Sequence, residues 1–352
     1  MTRQTWTAFV SALLFVGLAL LLVVVPVPFV AWSPGGSRDT LGAVNNEPII
    51  KISGIETHPT TGRLDMTILA VTSADARLSL PQALISYWLP DRDTLPRDAV
   101  YAPGKSAEQV NNEDALQMET AQDAAVVAAL RADGQDVIER PAVSSVTVGG
   151  PAHQRLLPGD LVISVEGDGA PTATPTDKAV REAIQKARVG GTLVFTVKRN
   201  KEERRVKVVT AESTTQSDAP VVGITLGKGY DYTPDISFDL GQQIGGPSAG
   251  LVFALAIYDK ITEGPLLQGR HVAATGTITP EGQVGPIGAI QQKIAGAEKS
   301  GATDFLVPAA NCGDLAGLRT DLNLIRVDTL RDAVAALQAL DTPGAAGTLP
   351  RC

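Results

Sequence analysis

The sequence predicts an α+β protein set behind one N-terminal transmembrane helix. Three observations carry this. A long uncharged apolar run opens the chain, strand and helix patterns are mixed along the body, and 34 glycines with 23 prolines among 352 residues call for many turns and short strands. The length leaves room for two or three domains. A composition of 44% hydrophobic and 19% charged residues is that of a folded chain. A net charge of −8 argues against nucleic acid as the main partner, because a phosphate-binding surface needs a basic excess.

Between Arg3 and Arg38 no residue is charged. Residues 1–7 read as a short cytoplasmic N-terminus and 8–32 as a membrane span, long enough to cross a bilayer. The end of the run, "PVPFVAWSPGG", offers no good small-x-small cleavage site, which favours an uncleaved anchor over a cleaved signal. Pro26 and Pro28 should break or kink the helix near its far end. Arg3 and the terminal amine face a balanced Arg38/Asp39 pair, so residues 38–352 are expected on the extracytoplasmic side. Residues 33–46, "SPGGSRDTLGAVNN", read as a linker.

From residue 47, "IIKISGI" and "LDMTILAV" are strand-like, and "NEDALQMETAQDAAVVAALRADG" is a helix with early acids, a late Arg131 and Gly134 as its stop. The block 138–212 has its own rhythm. A strand, a Gly-Gly-Pro turn, "LLPGDLVISVEG", the helix "TDKAVREAIQKA" and the strands "GTLVFTVKR" and "RRVKVVT" succeed one another. Across 213–342 come "DISFDLG", the stretch "IGGPSAGLVFALAIY", the strand "RHVAATGTIT", the turn "PEGQVGPIG", the helix "AIQQKIAGAEKSG", the strand "DFLVPAA" and the helix "LRDAVAALQAL". Residues 343–352 read as a tail.

The chain has two cysteines, Cys312 and Cys352. In an oxidising compartment they can pair and tie the tail to the body; the alternative is two unrelated thiols. His58, His153 and His271 are scattered, with no metal-ligand spacing, so neither a metal nor a cofactor is expected.

"IGGPSAGLVFALAIY" places one hydroxyl at the mouth of an apolar helix. A phosphate cradle would need GxxxxGK followed by Ser or Thr. No lysine follows these glycines, and the chain's one "GKS", Gly104-Lys105-Ser106, has Ala99 where the first glycine should stand, so no nucleotide is expected. A plain N-cap is weakened by Pro247, since proline favours the first helical position and pushes Ser248 inside the first turn. A nucleophile there would have unpaired backbone N–H groups beside it to hold an oxyanion, with Gly246, Pro247 and Ser248 as the stretch that meets the oxyanion and the substrate backbone.

A nucleophile also needs a base. His271 is the histidine available in this part of the chain, but no particular carboxylate is implied for it. Helical spacing puts Lys293 on one stripe with Ile290, Ile294 and Ala297, whereas Lys299 lies off it. A buried lysine sheds its proton and suits general-base work; a lysine snorkelling at the stripe's edge is the alternative.

The run "LLPGDLVISVEG" with its element order resembles bacterial PDZ domains, which implies strand-addition binding of an extended peptide. "GGPSAGLVFALAI" followed by "ATGTITPEGQVGPIGAIQQKIAGAEKSGATDFLVPAAN" resembles the proteolytic domain of Lon proteases. That family's Ser-Lys motifs, GPSAG and G-x-(x)-K-x-x-A followed by Ala or Gly, fall on Ser248 as nucleophile and Lys293 as base. Thr275 matches a threonine that orients the lysine. "IIKISGIETHPTTGRLDMTILAV" and the "METAQDAAVVAALRADG" helix are similar to the start of that domain. The resemblance thus implies a discontinuous Lon-type domain, 47–137 and 213–342, interrupted by the PDZ-like block. With one anchor, the arrangement resembles the membrane-anchored PDZ-containing Lon-like proteases, the YlbL family.

Gly245 departs from ATP-dependent Lon, which usually has an acid three residues before the serine. The resemblance implies ATP-independent cleavage of extracytoplasmic or membrane proteins, with protein or peptide substrates, and a ring-forming tendency toward a homo-oligomer. A proteolytically inactive, membrane-tethered peptide-binding or chaperone module is the alternative, and an acyltransferase or esterase with the same dyad is a third.

Overall fold

In a computed structural model, residues 2–167, 176–214, 218–240, 244–341, 347 and 349–352 are described. The apolar N-terminus forms helix α1 (Arg3–Val24), of which no residue is buried by the protein. Its 22 residues span about 33 Å at 1.5 Å per residue, the thickness of a bilayer's hydrocarbon core. The helix takes in most of the expected N-terminal segment and stops well before residue 32. Pro26 and Pro28 donate no N–H, and the residue before a proline avoids helical backbone.

Beyond Val24 the chain departs from the expected span and linker. Strand β1 (Pro26–Val27) leads at once into β2 (Phe29–Asp39), which pairs along both of its edges. The "SPGG" turn signal is absorbed as a bulge, with the register shifting between Pro34 and Ser37. A Cβ on Gly35 would stand 2.3 Å from the Ile68 carbonyl oxygen, so only glycine permits this approach.

The chain continues through β3 (Ile50–Ser53), β4 (Arg63–Val71), β5 (Leu78–Ser79), helix α2 (Leu80–Trp88), β6 (Asp93–Pro96) and the short α3 (Arg97–Val100). Helix α4 (Ala107–Ala132) begins five residues earlier than the pattern suggested, because Ser106 and Gln109 form a capping box. Its buried half runs from Ala121 to Leu130.

Residues 136–233 form a separate compact unit between the two segments of the other, 1–135 and 234–352. It contains β7 (Ile138–Val146), β8 (Leu161–Gly167), α5 (Asp177–Lys186), β9 (Thr192–Arg199), β10 (Glu202–Val209) and β11 (Ile224–Asp231), in sheet order β10-β9-β8-β7-β11. This moves the expected boundary at 212, since β11 pairs with the whole of β7. Val162, Val165, Val180, Leu193 and Phe195 fill its core. The "LPGD" run has a physical reason. Gly159 takes φ +90°, and the buried Asp160 carboxylate accepts the Leu157 N–H (2.9 Å) and two bonds from Arg199 (2.6 and 2.7 Å).

After the insertion come β12 (Asp235–Phe238), α6 (Gly250–Ile261), β13 (His271–Ala274), α7 (Ile290–Lys299), β14 (Asp304–Pro308), β15 (Asn323–Val327) and α8 (Leu330–Ala339). Strands β13, β14 and β15 join one six-stranded sheet with the N-terminal segment, in order β15-β14-β13-β4-β2-β6. Strands β15, β14, β13 and β4 run parallel, and β2 opposes β4. The sheet is therefore complete only when both segments have arrived.

Asp65 on β4 marks that seam. Fully buried, it accepts bonds from Ser37 (2.5 Å), Arg63 (2.6 Å) and Ser300 (3.1 Å), and its carboxylate lies 2.9 Å from His271 Nε2. Burial alone would raise its pKa, but the bonds from Arg63, Ser37 and His271 outweigh it and hold the carboxyl below its ordinary value. Asp65→Ala strands these donors, and a chemical melt should show a loss of about 3–5 kcal/mol.

Cys312 and Cys352 are bonded, with Cα atoms 4.9 Å apart. Of the expected tail, residues 343–346 and 348 lie outside the described residues, while Arg351 bridges to Ile325 on β15. Closing a 40-residue separation contributes about 4 kcal/mol on the chain-entropy account. A Cys352→Ser chain should lose that much in a denaturant titration, and reducing agent should remove it from the wild type.

Candidate active site

Gly246, with φ +88°, turns the chain into a single 3₁₀ turn, Pro247–Ala249, that runs straight into α6. Pro247 opens that turn, so Ser248 sits in the first turn rather than capping it. Residues 251–257 of α6 are all buried, so the half-exposed serine is mounted on a rigid, core-embedded element. Gly250 has a packing reason: a Cβ there would meet Ile278 Cγ2 at 2.8 Å.

Lys293 lies one turn into α7, its N–H bonded to the Ala289 carbonyl. With Ile290, Ile294 and Ala297 it occupies the buried stripe and is 4% exposed. The Lys293 Nζ donates to Ser248 Oγ at 2.7 Å and to Thr275 Oγ1 at 3.2 Å. Thr275, at the end of β13 and itself buried, donates to the Ser248 carbonyl at 3.0 Å. The Gly276 N–H donates to that same carbonyl at 2.9 Å, so the serine's backbone is clamped from two sides. Desolvation brings the Lys293 pKa down to about 8 from its usual value near 10.5.

The backbone trio expected to hold an oxyanion is reduced. Pro247 has no N–H, and the Gly246 N–H is taken by the Asp114 carbonyl of α4 at 3.0 Å. The Ser248 N–H is what remains of it.

His271 does find a carboxylate, Asp65, that sequence could not assign. It stands at the opposite end of β13 from Thr275, about 13 Å away along the strand, so this pair does not serve Ser248. Asp114 was also missed. Its Cβ lies 2.5 Å from where a side chain on Gly245 would begin, so the carboxylate occupies the space beside the residue where ATP-dependent Lon carries an acid. Burial, with Glu113 nearby, raises its pKa. Asp114 also lines a recess of about 300 Å³, together with Trp32, Val71, Tyr101, Val110 and Gln117. The Trp32 indole N–H is buried without a hydrogen-bond partner among the described residues. Only the unforeseen strand β2 brings Trp32 here.

Among the described residues no cluster of three or more His, Cys, Asp or Glu is placed to hold a metal ion. The "GKS" segment is used structurally: Ser106 caps α4, and Lys105 bonds Glu113 at 2.5 Å.

Residues 242–339, which contain Ser248, Thr275 and Lys293, match the Lon protease (S16) C-terminal proteolytic domain. Residues 110–210 match the PDZ domain, a stretch that starts inside α4 and ends before β11. Similar proteins include Lon protease 1 of Sorangium cellulosum (39% identical over 94 residues, 26% of this chain and 11% of that protein). Lon protease 2 of Syntrophobacter fumaroxidans is 34% identical over 30% of this chain and 14% of its own length. For Lon protease 2 of Bacillus subtilis the values are 35%, 31% and 20%. The chain thus spans between a tenth and a fifth of the length of these relatives. The crystal structure of the PDZ domain of an SdrC-like protein from Listeria monocytogenes is 24% identical, with 25% of this chain and 86% of that one covered at a TM-score of 0.22. The chain therefore carries a Lon-type proteolytic domain and a PDZ domain, behind an apolar helix long enough to span a membrane.

Proposed function

We propose that the protein is a serine endopeptidase that uses Ser248 and Lys293, needs no nucleotide, and is held by α1 at the outer face of a membrane. The observation that carries the reading is the 2.7 Å contact between a buried lysine and the serine hydroxyl. Neutral Lys293 accepts the Ser248 Oγ proton as the oxygen attacks the scissile carbonyl carbon. The Ser248 N–H stabilises the oxyanion, and the lysine returns its proton to the leaving amine. Water then enters by the reverse route and releases the acyl group. Thr275 positions the lysine and the serine backbone. The recess lined by Asp114 and Trp32 receives a substrate side chain, and the PDZ domain binds extended peptide segments of extracytoplasmic or membrane proteins.

The test is cleavage of an unfolded protein by the full chain, with and without ATP and magnesium. Equal rates in both, and none from Ser248→Ala, are expected; a requirement for ATP would overturn the nucleotide-independent reading. Thr275→Val should lower kcat about 10–100-fold with little change in KM, because it removes one hydrogen bond to the lysine worth about 1.5–3 kcal/mol.

A further inference from the structure

The structure assigns a second membrane contact: we propose that α2 lies in the bilayer interface beside α1 and holds the catalytic body against the lipid surface. This rests on reading α1 as a membrane span. The path of the chain keeps α2 close to α1. Val25 alone separates α1 from β1, which pairs antiparallel with β5, Pro26 against Ser79 and Val27 against Leu78. Helix α2 starts at the next residue, Leu80. The first residue of α2 is thereby held within about 16 Å of the end of α1, adding one strand-pair spacing to three residues of chain.

The chemistry of the segment suits the same place. From Leu78 to Pro90 no residue is charged. One face of α2, with Ala83 and Ser86, is buried, and the Ala83 carbonyl accepts a bond from Thr94 on β6. Beside Gln82, which caps the helix start, α2 presents Leu84, Ile85, Tyr87 and Trp88 to the exterior, and Leu89 follows at its end, with Tyr87 68% and Trp88 72% exposed. A continuous apolar patch of this kind marks an interaction surface. Tyrosine and tryptophan at the tip of a short helix suit the headgroup region, where an apolar ring and a polar handle are both satisfied. Arg77, Asp91, Arg92 and Asp93 flank the helix and offset one another. The contact is therefore apolar insertion, without a requirement for anionic lipid. Lys299 at the end of α7 bonds Asp91 at 2.5 Å, so the helix carrying Lys293 is tied to the segment that leaves the interface.

The full chain, reconstituted in vesicles of zwitterionic phosphatidylcholine, tests this. Nitroxide labels are placed on Ile85→Cys and on Tyr87→Cys, one at a time, with Glu202→Cys as an aqueous control; the native cysteines are bonded to each other. At 85 and 87, collision with lipid-soluble oxygen should exceed collision with a water-soluble nickel chelate, and the control should show the reverse. Labels at 85 and 87 that favour the chelate, on a chain still held in the vesicles, would overturn the interfacial helix alone. Labels shielded from both relaxants, with spin–spin broadening between chains, would assign the face to a second copy and also overturn it. Recovery of the cell-derived chain in the soluble fraction, lacking α1, would overturn the membrane span itself.

Discussion

Replacing Ser248 with alanine will abolish peptide-bond cleavage, with a fall of about 10⁴-fold or more in kcat/KM and an unchanged fold. The fold is indifferent to the hydroxyl because the turn is held by backbone groups: the Ser248 carbonyl by Thr275 and Gly276, and the Gly246 N–H by Asp114. Residual turnover over water comes from substrate binding and the Ser248 N–H. Lys293→Met will produce a loss of the same order. In the proposed mechanism the two residues act as one unit, so the double variant should be hardly worse than either single one. Kinetics on a fluorogenic peptide, with circular dichroism as the check on folding, would show this.

The second large effect is on pH. The proposed mechanism requires neutral Lys293, whose pKa burial brings down to about 8. Below that value kcat/KM should fall about tenfold per pH unit, and above it the profile should level off. The same burial shapes stability, with a definite sign. The folded pKa lies below the unfolded one, so between about pH 8 and 10.5 the unfolded chain holds a proton that the folded chain has released. Stability therefore rises with pH across that window, and the full penalty applies below it. At about 1.36 kcal/mol per pH unit, the penalty at neutral pH is on the order of 3 kcal/mol. Lys293→Met should thus be inactive yet more stable at pH 7, with an advantage that shrinks to nothing near pH 10.5. Urea titrations at about pH 7 and 10 would read it; a variant less stable than wild type at neutral pH would contradict the burial account.

How much of this was written in the sequence depends on range. Local rules reached Ser248, because proline at the first helical position is a matter of one residue's backbone, and they reached the stripe of Lys293, because helical periodicity is local. They did not reach β2. Its "SPGG" reads as a turn in isolation, and it becomes a strand only when β4 and β6 pair with it, about 30 to 60 residues away. Trp32, and with it the recess, was lost for the same reason. Asp65 and His271 are 206 positions apart and meet across adjacent parallel strands. Asp114 belongs to a helix whose first half faces the catalytic turn, and nothing in its own neighbourhood announces that. The boundary at 233 was hidden because β11 follows a polar stretch and completes the inserted sheet from its far edge.

The central claim is that Ser248 is activated by Lys293, and reaction with a fluorophosphonate measures it most directly. Labelling should fall on Ser248 alone by peptide mass mapping, quicken with pH up to about 8, and vanish in Lys293→Met. Equal labelling of Lys293→Met, or a label on Ser300 that depends on His271 and Asp65, would contradict the account.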